Sequence, residues 1–402
     1  MSVATSNLLI HNVRIAPFGA EVLRHGINGA LRREVRSLPD HPDALAIRAP
    51  LCNDVLIISS VGAWRALLAE DPSGTGCPYG RGNIMGPSTP GNKIASFPGD
   101  IDSGLSLSPA SDSQKRRKHE ARARLNRFDT EGVASDCVAA LEEDKGVDPL
   151  EVVLARVIRP ALLDHVLPPR EDRDKLHDSA KRRLTGAAAT TVFSPRFVHK
   201  GIEKALSIMD RFHGVSKKGF AEVAHEMEGP FTASDVAQLY ATTGATVSAA
   251  YWLAEFIGSM GSERSELRPV DTSVEALRYG GLNTIIPPRP VSYDATDWVC
   301  NVSPTLVLHD PRFVGDDAYE FNPDRYIGES GVKLRQRVVA AAFGYGVHRC
   351  PSALMLPSFL EALAHQMQQS DVVINRGDHT KPNQLDFNAY IPRRRFQARV
   401  VN

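Results

Sequence analysis

The stretch FGYGVHRCPSALM, Phe343 to Met355, sets one cysteine in a loop with two glycines, a histidine and an arginine. A proline and an apolar run follow. A thiol presented this way is an inert buried group, a nucleophile, half of a disulfide or a metal ligand. The chain has five cysteines, at 52, 77, 137, 300 and 350, with no CxxC among them. An odd, scattered set counts against a zinc knuckle and against a disulfide framework. Cys350 therefore has no local cysteine partner, and three readings stay open.

Working outward, SALMLPSFLEALAHQMQQ from Ser352 to Gln369 reads as a final long helix, with Pro357 expected to cost or kink it. Upstream, FNPDRY at 321–326 ends a segment, DPRFVGDDAYEFNPDRY, that reads as loop. NTIIPPRPVSYDATDWVCNVSPTLVLHD reads as short strands and turns. Before it, VEALRY is a short helix ended by Gly280-Gly281. It carries Glu275 and Arg278 at i,i+3 spacing, which taken alone describes a surface pair stabilising a helix by a few tenths of a kcal/mol.

The longest helical signal is TASDVAQLYATTGATVSAAYWLAEFIGSM. Thr232 or Ser234 can cap it, Gly258 can end it, and no proline interrupts it. It is apolar nearly all round and should be buried, with Tyr251 and Trp252 as core residues. About 25 residues of helix span roughly 37 Å, enough to cross a domain. Its middle, Ala241 to Thr246, is small and hydroxylic, so it suits either a planar body against the backbone or a close helix crossing.

Nearer the N-terminus, 43–70 reads as two strands, Ala44 to Ala49 and Asp54 to Ile58, then a helix from Val61. Residues 71–113 are rich in Gly, Pro and Ser, as lids and substrate loops often are. QKRRKHEARARLNRF then forms a basic helix, either a solvated face or a cationic edge beside a buried anion. Helices continue through 227, with breaks expected near Pro160, Pro168-Pro169 and Pro195. Cys52, Cys77, Cys137 and Cys300 read as structural, and His119 and His309 have no ligand spacing around them.

Composition narrows the classes. Lys plus Arg equals Asp plus Glu at 47 each in 402 residues, so no global charge points to nucleic acid or an anionic membrane. No run approaches the ~18 apolar residues of a membrane span, and the start does not resemble a secretory signal. The expectation is a cytoplasmic protein, mainly α with a small β region, and length alone suggests two or three domains.

In this order, the small-residue helix, ExxR, FNPDRY and the glycine-flanked cysteine resemble the cytochrome P450 family of haem-thiolate monooxygenases. The family's cysteine loop reads F-G-x-G-x-H-x-C-x-G. Phe343, Gly344, Gly346, His348 and Cys350 match it in register, and Ser352 stands where the last glycine is usual. The resemblance implies the cytochrome P450 fold as a single catalytic domain over 1–402 and a haem b held through the Cys350 thiolate. It implies Phe343 and Gly344 beside the ligand and His348 on a haem propionate. Arg117, Arg122 and Arg289 are the other candidate propionate partners. In the family the Glu and Arg of ExxR bind a downstream Arg, here Arg325, as a lock on the cysteine loop. Counting back from Phe128 places Arg117 and Ala121 where the family usually carries an aromatic or His and then an Arg.

One departure stands out. The family's long helix usually carries A-G-x-[D/E]-T, an acid–alcohol pair that delivers protons during oxygen activation. Here Thr243, Gly244, Ala245 and Thr246 occupy that region, and no carboxylate lies between Asp235 and Glu255. The resemblance implies a monooxygenase acting on a small organic molecule, with ferredoxin and ferredoxin reductase-type electron donors; the altered long helix and the atypical 71–113 segment point to a role in specialised-metabolite biosynthesis. The missing acid keeps two alternatives open: a peroxide-using or non-oxygenating enzyme that couples, cyclises or rearranges, and a catalytically silent haem-binding scaffold. Pocket residues are expected from 71–113, the 190s, 240–247 and 282–292.

Overall fold

Two strand-like stretches far apart in the chain meet in one sheet. A computed structural model describes residues 8–68 apart from 49 and 51, 112–192, 195–280 apart from 216, 286–344, 349–374 and 398–400. The sheet holds β1 (Ile10–Asn12), β2 (Ala44–Ile47), β3 (Val55–Ile58), β4 (Ile286–Tyr293) and β5 (Thr296–Val302), in the order β1-β2-β3-β5-β4. β3, VLII, is wholly buried and pairs in parallel with β5. Its all-apolar sequence fits a central strand covered on both faces. β4 carries Pro287, Pro288 and Pro290, which cannot donate to a ladder, and it lies at the edge with a register shift between Ile286 and Arg289. Asp294 and Ala295, both at positive φ, turn β4 into β5.

Val372–Ile374 and Ala398–Val400 pair in a second, two-stranded antiparallel sheet, and helices form most of the rest of the described residues. The long helix spans Ala233–Ser259 and starts with a capping box: Thr232 Oγ1 accepts from Asp235 N (3.2 Å), and the Asp235 carboxylate accepts from Thr232 N (2.8 Å). It packs against helices Leu150–Val166, Arg173–Val192, Lys217–Glu226, Pro269–Gly280 and Met355–Gln369. That central place explains why it is apolar on every side, and Tyr251 and Trp252 are buried within the core. No helix among the described residues is long and apolar enough to cross a membrane.

Several local expectations are corrected. Pro160 does not break a helix; Leu150–Val166 runs through it, buried along one face by Leu154, Ile158 and Leu162. The final helix begins at Met355, not Ser352, so Pro357 falls in its first turn, where a missing N–H costs little. The ExxR helix starts earlier than VEALRY, at Pro269. Short helical turns at Pro311–Val314 and Pro323–Tyr326 interrupt the segment read as loop, each capped by an Asx side chain, Asp310 and Asn322. The Gly/Pro-rich segment lies almost wholly outside the described residues, which resume at Asp112.

Candidate active site

Cys350 sits between helix Gly328–Phe343 and helix Met355–Gln369. Its backbone N–H donates to the Phe343 carbonyl (2.8 Å), which closes the loop on the buried end of the preceding helix. Gly344 begins the loop at φ 82, where an L side chain would be strained. The thiol is free and half-buried, and its Sγ lies 3.0 Å from Ser352 Oγ. Tyr345 to His348, and with them Gly346, lie outside the described residues.

A buried charge cluster supports the loop's surroundings. Glu275, fully buried, accepts five hydrogen bonds. Two come from Arg278 (Nε 2.8 Å, Nη2 2.6 Å), one from Arg325 Nε (3.2 Å), one from Asn322 N (2.9 Å) and one from the Tyr326 hydroxyl (2.8 Å). Arg278 also donates to the carbonyls of Leu308, Ala318 and Glu320. Arg325 reaches Asp317 Oδ1 (2.7 Å) and the Val314 carbonyl (2.9 Å). Such a group is costly to bury unless every member is paired, and here the donors are distributed over one helix and the 314–326 turn region. Burial pulls the Arg278 pKa down, but the hydrogen bond and charge of Glu275 outweigh it and leave it raised. Burial, then the Glu275 charge, hold the Tyr326 phenol well above its ordinary 10.0, so it stays a donor. Tyr326 and Asp317 were not singled out from sequence; the signal for Tyr326 was its place beside Arg325 in FNPDRY.

The middle of the long helix has a different character. Thr243 and Thr246 are buried, whereas Gly244 and Ala245 between them are partly exposed, on a helix most of whose described residues are buried. A Cβ added at Gly244 would meet nothing within 4 Å. Gly244 therefore borders open space. Thr243 Oγ1 donates to the Tyr240 carbonyl of its own helix (3.1 Å).

The propionate candidates separate. Arg117 points inward on the basic helix, Asp112–Leu125, and forms a nearly fully buried ion pair with Asp235 (3.0 Å) at the start of the long helix. Its charge is matched by a carboxylate, because Gln114, Arg117, Lys118, Ala121 and Leu125 form the buried face of that helix. Arg122 is half-buried and makes no ion pair among the described residues. Arg289 lies in β4 opposite Cys300, with its side chain outside what is described.

No protein-family model matches the chain, and no curated protein does either. Solved structures match over nearly all of it. A mutant haem domain of cytochrome P450DA is 11% identical with a TM-score of 0.64, covering 98% of this chain and 97% of that one. Cytochrome P450SP alpha in complex with (R)-ibuprofen is 12% identical with a TM-score of 0.59, covering 92% and 96%. A zebrafish cytochrome P450 with progesterone is 14% identical with a TM-score of 0.57, covering 92% and 99%.

The chain has the cytochrome P450 fold.

Within a cytochrome P450 fold the features above suit a haem. A free half-buried thiol lies in a glycine-bearing loop, and small residues on the long helix border open space. The Arg117 guanidinium already meets Asp235, whereas Arg122 is half-buried with no ion pair among the described residues.

Proposed function

We propose that the chain is a haem-thiolate oxidoreductase, a monooxygenase oxidising a small organic molecule with dioxygen and electrons from external ferredoxin and ferredoxin reductase-type donors. The whole chain forms its single catalytic domain. The observation that carries this reading is Cys350, a free thiol held by the Phe343 carbonyl in a loop that begins at positive-φ Gly344. Haem b, bound through Cys350, supplies the oxidising chemistry, and the thiolate's electron release favours O–O cleavage.

The chain's own residues orient and enclose. Phe343 packs beside the sulfur and excludes water from it. His348, Arg122 and Arg289 neutralise the propionates. Glu275, Arg278 and Arg325 hold the turn region rigid. Gly244 and Ala245 leave room for the ligand and the substrate, and Thr243 and Thr246 hold protons at their hydroxyls on the rim of that space. Neighbours bound to ibuprofen and progesterone are consistent with a small organic substrate without naming it.

A second reading has its own support. The long helix offers no carboxylate between Asp235 and Glu255, and the Thr243 hydroxyl is already donated to Tyr240. That favours a peroxide-using enzyme, or one that couples, cyclises or rearranges.

Reduced protein under carbon monoxide is expected to show the strongly red-shifted Soret band of thiolate ligation, and Cys350→Ala to lose it. An imidazole-type spectrum in the parent overturns the assignment. Candidate substrates that raise a spin-state shift are then supplied either with peroxide alone or with dioxygen and a ferredoxin system, and product in only one arm decides the oxidant. Haem binding with no turnover from any source supports the scaffold reading instead.

A further inference from the structure

We propose that Ser352 donates a hydrogen bond to the Cys350 sulfur and thereby sets how strongly that sulfur donates electrons to the haem iron. The inference rests on Cys350 as the iron ligand. Ser352 Oγ lies 3.0 Å from Cys350 Sγ, and this is its only hydrogen-bond partner among the described residues. A ligating cysteine is a thiolate with no proton of its own, so the hydroxyl must be the donor in the loaded protein. The hydrogen bond is then charge-assisted, the stronger kind.

The geometry does not depend on the hydroxyl. The backbone of the segment is fixed on both sides: Cys350 N donates to the Phe343 carbonyl (2.8 Å), Ala353 N to the Cys350 carbonyl (3.3 Å), and Leu356 N to the Ser352 carbonyl (3.0 Å). The last of these contacts makes Ser352 the foot of the first turn leading into the final helix. Its side chain is carried to the sulfur by a segment that would keep its shape with alanine. Glycine, usual at this place in the resembling loop, brings no side-chain donor at all.

Ser352 is a positioning residue: it acts on the iron through Cys350. Partners of a metal ligand tune the metal by changing the ligand's basicity. A proton shared toward the sulfur withdraws electron density from it. Donation to the iron weakens, and the reduced state, with its extra electron, gains relative to the oxidised one. Removing the hydroxyl should lower the haem reduction potential and increase electron release from iron onto bound carbon monoxide.

The test uses the haem-loaded full chain. Ser352→Ala, Ser352→Gly and Ser352→Thr are compared with the parent by potentiometric titration of the ferric/ferrous couple and by the C–O stretch of the carbon monoxide complex. Ala and Gly are expected to lower both the potential and the stretching frequency, and Thr, which keeps the hydroxyl, to stay near the parent. Unchanged values in Ala and Gly overturn the inference, as does a Thr variant shifted as far as Ala. A parent lacking the red-shifted ferrous–carbon monoxide Soret band would instead overturn the haem-thiolate reading itself, so the two failures are told apart. Haem content and far-ultraviolet circular dichroism accompany each variant; one that loses fold or haem means that the hydroxyl holds structure and also counts against the inference.

Discussion

Glu275 and Thr243 are both deeply buried, and they use their polar atoms in opposite ways. Glu275 gathers five donors from its own helix and a turn about 50 residues downstream, whereas Thr243 turns its hydroxyl back on the carbonyl three residues before it. The first region is a fully paired ionic knot with no freedom left. The second is a run of small residues beside open space, with its polar atom satisfied locally. A knot whose members are mutually satisfied resists displacement, because moving one strands the charge of another. A helix surface whose Thr243 hydroxyl is satisfied within the helix leaves the neighbouring space free for a ligand. One side of the site is built for rigidity and the other for room.

The contrast breaks most visibly at Glu275. Glu275→Ala leaves the buried Arg278 guanidinium without its carboxylate and Arg325 with Asp317 alone, and the expected loss is about 3–5 kcal/mol. Urea unfolding followed by circular dichroism measures it; a loss near zero would mean the knot is not a structural unit. Tyr326→Phe removes a single donor and keeps the other four, so about 1.5–3 kcal/mol is expected by the same measurement.

The acid side tests the surroundings of the knot. His309 is fully buried, and burial first, with Arg32 and Arg278 adding to it, holds its pKa well below the ordinary 6.5. A depressed folded value means that the unfolded chain takes up the proton first. Stability is therefore present above 6.5 and declines as pH falls from there toward the folded value. His41 and His177, both lowered chiefly by burial, act in the same direction. Thermal midpoints measured from pH 8 to 5 should fall, and His309→Gln should fall less steeply; parallel curves would contradict this account.

On the open side, Gly244→Ala is expected to stabilise the helix by up to about 1 kcal/mol, since the new methyl group meets nothing and glycine is a poor helix former. The same methyl group should weaken substrate-induced spin-state shifts if that space receives the ligand. Thr243→Val should change stability least, by about 0.5 kcal/mol or less, because its hydroxyl bonds a carbonyl of its own helix. A loss of several kcal/mol there would show that the hydroxyl has a tertiary role.

Much of this was legible because the relevant relations are short. The cap at Thr232, one of the two the sequence offers, the small patch at 241–246 and the Glu275–Arg278 pair each involve only a few neighbouring residues. The cysteine loop is a contiguous motif, and Arg325 was found because FNPDRY could be matched to a family pattern. Two prolines were misjudged. Pro160 is carried by a helix whose apolar face is buried strongly enough to tolerate a missing N–H, and Pro357 falls in a first turn that needs none. Tertiary packing set both outcomes, not local propensity.

By itself, then, the sequence determined that a long apolar helix starts near Thr232, that Glu275 and Arg278 share a helix, and which cysteine is singled out by its loop. Only the tertiary structure decided that β3 pairs in parallel with β5, that Arg117 meets Asp235, and that the Ser352 hydroxyl reaches the Cys350 sulfur. The physical reason is range and geometry. Helix periods and caps are written in neighbouring residues, so they can be read from the chain alone. Distant pairings depend on which buried surfaces pack together, and even a contact as close in sequence as Ser352 with Cys350 depends on the turn that the surrounding helices impose.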